Sequence, residues 1–313
     1  MRRLGAILCA LATLFALTAF AASSARTSED PRPRPVCASK TPEAPGTSQR
    51  TFVDGTVERT YTLRIPAGYD GKRARPVVYL LHGLGGESAQ FLTSTQFGDL
   101  ADREGVILVA PQGQDTVGTR PGWDFTTPAT QVGSDADFIK RLKAEMDSQL
   151  CVDESREYLA GFSNGAALGF SMACAGNFGF AAYAGISAIV SGESCSGSPS
   201  PIIYFHGTGD DVIPDAGGTT VIGTMLGVDA GLASWVAHNA CQAEPTVTQV
   251  TTHVQERAWS GCTASADIES YAIADAGHAW PGSPTLREPT AGPTSDEISA
   301  ATTMWSFFRR HRL

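Results

Sequence analysis

The chain has 313 residues, a formal net charge of −9 and 18% charged residues, which is long enough to bury one large core. Outside the terminal "RRHRL" there is no cluster of Lys and Arg, so neither nucleic acid nor an anionic membrane is expected as a partner. No C-x-x-C pair occurs among the seven cysteines, which argues against zinc, and no metal or organic cofactor is expected.

Residues 1–25 open with Met1-Arg2-Arg3, run through "LGAILCALATLFALTAFAA" and leave by small residues at Ala19/Ala21 or Ser23/Ala25. A charged start, an apolar run and a small-residue exit read as a cleaved secretory signal, so the protein is expected outside the cell. Removing the signal takes away Arg2 and Arg3, changing the net charge from −9 to −11. Residues 26–50 are rich in Pro, Ser and Thr with no apolar period, and read as a disordered leader. Residues 51–313 carry no repeat or second linker and read as a single domain, expected to be monomeric.

Within that domain, short apolar runs alternate with helical patterns. Strands are expected at "TYTLRIP", "RPVVYLLHG", "GVILVAPQG", "REYLAG", "FAAYAGISAIV", "PIIYFHG" and "IESYAIA". Helices are expected near Glu87–Glu104, Asp135–Leu150, Asn164–Ala175, Gly218–Asn239 and Ser295–Arg310. Continuous apolar strands alternating with helices predict an α/β fold whose mostly parallel central sheet is covered by helices on both faces. Chemistry in such sheets gathers just beyond the carboxyl ends of the strands.

In chain order, "LHGLGGES" follows the strand run "RPVVYL", and His82-Gly83-Leu84-Gly85-Gly86 has the H-G-x-x-G form of a loop that offers a backbone amide to an oxyanion. Trp123, in "GWDF", falls on a loop at the same sheet edge. Next comes "EYLAGFSNGAALGF", which contains G-x-S-x-G. With 33 glycines in the chain, roughly 0.3 chance matches are expected, so context must carry the assignment. Here an apolar strand precedes Ser163 and small helix formers follow it, with glycines at 161 and 165 where backbones crowd. Such a turn aims the Ser163 hydroxyl outward as a nucleophile, and the Asn164 N–H beside it, with Leu84 N–H, forms the expected oxyanion hole.

A serine nucleophile needs a base, and the base an orienting carboxylate. His278 follows the run "IESYAIADAG" into an irregular Gly/Pro loop, "GHAWPGSP". Between Ser163 and His278 lies "PIIYFHGTGDD", whose loop offers Asp210 and Asp211. The order Ser, Asp, His is that of the α/β-hydrolase fold. Candidate substrate-binding residues are His82, Trp123 and Trp280.

With Cys9 inside the signal, six cysteines remain, an even number that reads as disulfides in an exported chain. Cys174 with Cys195 and Cys241 with Cys262 are the sequence-local pairs, leaving Cys37 with Cys151.

Taken together, "LLHGLGGES", "ADREGVILVAPQG", "GWDF", "YLAGFSNGAALGFSMAC", "FHGTGDDVIP", "GHAWPG" and "MWSFF" resemble the secreted esterase family of polyhydroxybutyrate depolymerases, feruloyl esterases and acetylxylan esterases. The resemblance covers nearly all of residues 51–313. It implies a Ser-His-Asp triad of Ser163, His278 and Asp210, with Asp210 chosen over Asp211 by the H-G-T-x-D pattern, and an acyl-enzyme route on esters of polymers or oligomers. Two positions depart from the pattern: Ala166 replaces a second glycine after the serine, and Asp211 replaces the proline after the aspartate. Other readings are an acyltransferase of the mycolyltransferase type, or a non-catalytic polymer-binding protein on a hydrolase scaffold.

Overall fold

The computed structural model describes residues 36, 37, 40, 42–55, 57–117, 120–283 and 292–313, the side chains of 115–117 excepted. The expected signal (1–25) and the leader up to residue 35 lie outside the described residues. The strands are β1 (Gly46–Asp54), β2 (Val57–Ile65), β3 (Arg75–Leu81), β4 (Ile107–Pro111), β5 (Gln114–Val117), β6 (Arg120–Gly122) and β7 (Val152–Phe162). They continue with β8 (Ala182–Ile186), β9 (Ile202–Gly207), β10 (Gly217–Thr220), β11 (Gly223–Leu226), β12 (Thr246–Gln249), β13 (Val254–Trp259) and β14 (Ile268–Ile273). The helices are α1 (Ser88–Ser94), α2 (Phe97–Glu104), α3 (Asp135–Gln149), α4 (Asn164–Ala175), α5 (Val228–His238) and α6 (Ala300–Phe308).

Ten strands form one sheet in the order β1-β2-β4-β3-β7-β8-β9-β14-β13-β12. From β4 to β14 every neighbour is parallel, and two antiparallel strands close each edge. The apolar runs are continuous because both faces are covered. Alternate side chains of β3 divide between two cores: Val77, Tyr79 and Leu81 join α3, α4 and α5 on one face. Val78 and Leu80 join α1, α2 and α6 on the other, the period-2 alternation of a strand read on both sides.

Helix starts follow local chemistry. Ser134 caps α3, its side chain accepting from Asp137 N, and Asp135 and Asp137 sit in the first turn, where negative charge suits the helix dipole. The helix expected at Glu87–Glu104 is broken in two because Gln96 adopts φ 64°. That expected at Gly218–Asn239 is instead a hairpin, β10–β11, followed by α5. Gly217 and Gly218 take φ of 76° and 129°, and the β-branched run Thr219–Ile222, which ends β10 and forms the turn into β11, disfavours helix. The last helix begins at Ala300 rather than Ser295, capped by Ser299.

The leader boundary at residue 50 is corrected for its described part. Gly46–Arg50 belong to β1, which pairs with β2 along its whole length. Before it, Cys37 is disulfide-bonded to Cys151 and donates its N–H to Lys72 O, and Lys40 Nζ donates to Asp147 O. Order here comes from a covalent tie and a backbone ladder, neither of which needs an apolar period. The other disulfides are Cys174–Cys195 and Cys241–Cys262, as expected.

Cys37–Cys151 closes a separation of 114 residues, and in the chain-entropy view a loop of that size is worth roughly 4 to 5 kcal/mol. Replacing both cysteines by Ala is expected to lower unfolding free energy in denaturant by at least about half of that figure; an unchanged unfolding curve would contradict a structural role for the tie.

Candidate active site

Ser163 sits between β7 and α4 in a conformation that side chains rarely adopt, φ 52° and ψ −121°. Its surroundings impose that turn. A Cβ on Gly161 would lie 2.4 Å from Gly165 O, and one on Gly165 would lie 2.4 Å from Leu81 O, so both positions must be glycine. Ser163 N donates to Ile186 O, tying the turn to β8. Asn164 is the first residue of α4, so its N–H has no acceptor within the helix.

Register brings the loops together. β3 and β7 pair from Val77↔Glu157 to Leu81↔Gly161, placing His82 beside Phe162. β9 and β14 pair up to Gly207↔Ile273, so the loops carrying Asp210 and His278 leave the sheet side by side. A Cβ on Gly207 would meet Ala276 O at 2.2 Å, another close backbone approach that only glycine permits. The His278 ring lies 4.9 Å from that of Phe162, the residue before Ser163.

His278 Nδ1 donates to Asp210 Oδ2 at 2.8 Å, with both side chains buried. Asp210 Oδ1 accepts from Val212 N at 2.9 Å and Ile213 N at 2.8 Å. Burial pushes the Asp210 carboxyl up, but the His278 hydrogen bond and charge, with the Ile213 amide, outweigh it and hold the group below its ordinary value. Of the two acids, Asp211 is exposed and Asp210 is the one hydrogen-bonded to His278. Behind Asp210 lies a pair that sequence reading passed over. Tyr204 OH is 2.7 Å from His206 Nδ1, and His206 Nε2 is 3.1 Å from Ile213 O. Their alternation on one face of β9 was the available signal.

The loop after β3 is held from behind. His82 Nδ1 donates to Gly83 O at 2.7 Å, and its Nε2 accepts from Gly113 N at 3.0 Å. Gln112 braces the same loop, its Nε2 on Gly86 O and its Oε1 accepting from Ser88 N. Gly85 and Gly86 amides are committed to Pro121 O and Gly83 O, and Leu84 lies between these turns and the apolar cluster around Ala166 and Ala167. A Cβ on Gly83 would lie 3.3 Å from the Ser163 Cβ, so this loop abuts the serine directly.

The three candidate substrate-binding residues do not reach the cleft. His82 and Trp280 are fully buried and Trp123 is 1% exposed. Trp280 packs edge-on against Phe91, Phe97 and Phe162, beneath the His278 loop. Trp123 Nε1 donates to His82 O, and its backbone exchanges hydrogen bonds with the Asn164 side chain at 2.6 and 2.9 Å. Trp123 thereby ties the loop after β3 to the serine turn, and Trp280 packs on Phe162, the residue before Ser163. Ala166 is buried against Ala167 and Ile213, where a small side chain suffices. Among the described residues, no group of three His, Cys, Asp or Glu is placed to hold a metal ion.

Fold and relatives together define an esterase of the α/β-hydrolase class. An acetyl xylan esterase from Aspergillus awamori superposes with a TM-score of 0.58 at 15% identity, over 74% of this chain and 94% of that one, which shows a shared fold. Feruloyl esterase C of Emericella nidulans is 31% identical over 205 residues, 62% of this chain and 68% of that protein. A probable feruloyl esterase C of Aspergillus niger is 32% identical over 177 residues, 54% of this chain and 61% of that protein. The family model described as esterase PHB depolymerase matches residues 59–241, and the chain belongs to that family.

Burial pushes His82 down to about 4, against the opposing pull of Gly83 O. A neutral buried histidine contributes stability that is fully present above its unfolded value near 6.5 and lost as pH falls toward 4. The stability advantage of the native protein over His82→Gln is therefore expected to shrink between pH 7 and pH 4 in urea unfolding; an advantage equal at both pH values would contradict it.

Proposed function

We propose that the protein is a secreted serine esterase that cleaves carboxylic esters of plant-polysaccharide or polyester type through an acyl-enzyme. His278 takes the Ser163 proton at Nε2, the Ser163 Oγ attacks the ester carbonyl carbon, and the Asn164 and Leu84 amides receive the oxyanion. The leaving alcohol takes the proton from His278, and water then cleaves the acyl-enzyme by the same base. Asp210, ionised, holds the Nδ1 proton so that Nε2 is the basic nitrogen.

The observation that carries this reading is the Asp210–His278 hydrogen bond, placed one loop away from a serine in a forced left-handed turn. An apolar or aromatic acid is supported by the half-buried Leu84 and Val212, on the loops that carry His82 and Asp210, which pack on the cluster behind the serine helix. The names of the relatives favour a hydroxycinnamoyl ester over acetyl or hydroxybutyryl esters. Export is supported by the signal-like start and by the three disulfides.

Ser163→Ala is expected to lose roughly 10³-fold or more in kcat/KM on a short p-nitrophenyl ester, with an unchanged circular-dichroism spectrum. Near-native turnover by the folded variant would overturn the mechanism.

A further inference from the structure

Tyr204 and His206 take no part in the mechanism above, yet they lie directly behind its acid. They share one face of β9, Tyr204 fully buried and His206 2% exposed. Ile213 O can only accept, so His206 Nε2, 3.1 Å from it, carries a proton. Burial, aided by the charge of His278, outweighs the opposing pull of Asp210 and Asp215 and holds His206 below its ordinary value, so the imidazole is neutral. A neutral ring has one N–H, and Nδ1 therefore accepts from Tyr204 OH at 2.7 Å. The Tyr204 hydroxyl thus fixes the tautomer of His206.

Ile213 is where that hydrogen bond acts on the acid loop. Its N–H donates to Asp210 Oδ1 at 2.8 Å, beside Val212 N at 2.9 Å. Its C=O accepts from His206 Nε2, and its side chain packs with Ala166 and Ala167 of α4. The start of the loop is held separately, by Thr208 N on Ile273 O and Gly209 N on Ala276 O. His206 therefore ties the far end of the loop back to β9. Asp210 Oδ2 is 2.8 Å from His278 Nδ1 and 3.9 Å from His206 Nε2. The second distance is beyond hydrogen-bond reach, so the neutral His206 leaves that oxygen to His278.

We infer that Tyr204 and His206 are positioning residues for Asp210: the chain Tyr204 OH to His206 to Ile213 O closes the turn whose amides hold one carboxylate oxygen, and so aims the other at His278. The inference rests on the serine esterase reading above. Neither side chain touches a reacting atom, and both act only through Asp210. A shift of about 1 Å in a positioned group can cost roughly 10²-fold in rate, so a tie this close to the acid is expected to be felt in the chemical step.

The test measures kcat and KM on a short p-nitrophenyl ester, and the low-field NMR signal of the His278 Nδ1 proton, in the full-length protein. His206→Ala is expected to lower kcat roughly tenfold or more with KM held within about twofold, and to shift or lose the low-field signal. His206→Gln, whose side-chain amide can donate to Ile213 O, restores kcat to within about threefold of native. Tyr204→Phe removes only the hydroxyl and lowers kcat about threefold or more; it decides the matter if His206→Ala does not fold. In an Asp210→Asn background, His206→Ala changes kcat by less than about twofold, because the group it positions is gone. A merely structural role would lower unfolding free energy and leave kcat and the low-field signal unmoved. Native kcat in folded His206→Ala or Tyr204→Phe, a loss that falls on KM, or an equal loss with and without Asp210 would overturn the positioning role and leave the esterase reading standing. Native activity of Asp210→Asn itself would overturn both.

Discussion

The carbonyls of Leu81 and His82 crowd Gly165 so closely that a Cβ there would meet them at 2.4 and 2.5 Å. This contact between the end of β3 and the start of α4 is the constraint on which the site depends. It sets the serine turn directly against the loop after β3, the two segments to which the proposed mechanism assigns the nucleophile and the oxyanion amides. Ser163 then has nowhere to go but the left-handed region, at a conformational cost of order 1–3 kcal/mol held by the packed strands on either side.

Around that contact, buried polar groups keep the backbone in place and stay electrically quiet. His82 is neutral and uses both nitrogens to join two loops, and Asn164 clasps the backbone of Trp123. The charge is concentrated on Asp210, which two amides and His278 satisfy. In the proposed mechanism, that anion at one edge of the His278 imidazole makes the opposite edge the base, the polarity that serine chemistry requires.

The centre of the sheet was legible because its strands are continuous β-branched and apolar runs, and a strand buried on both faces admits little else. The edge strands were not: β1 alternates polar residues with Phe52, and β12 is exposed throughout, so neither leaves an apolar trace. The region 218–239 misled because small residues fit a helical pattern, while residues 217–226 pair as a hairpin that turns at Val221–Ile222. In the site, the order of Ser163, Asp210 and His278 was readable from the residues after each strand. Trp123, Trp280 and His82 do lie in loops, but sequence does not say whether a loop side chain turns outward or folds beneath, and all three are buried. Gln112 follows β4 in the same way and carried no marker beyond its place.

The central claim is that Ser163 is the residue made nucleophilic by this arrangement. The most direct measurement is reaction of the native protein with a fluorophosphonate, followed by peptide mass spectrometry. The account predicts one covalent adduct, on Ser163, whose formation is slowed strongly by His278→Ala. Labelling at another residue, or an unmodified Ser163 in the folded protein, would contradict it.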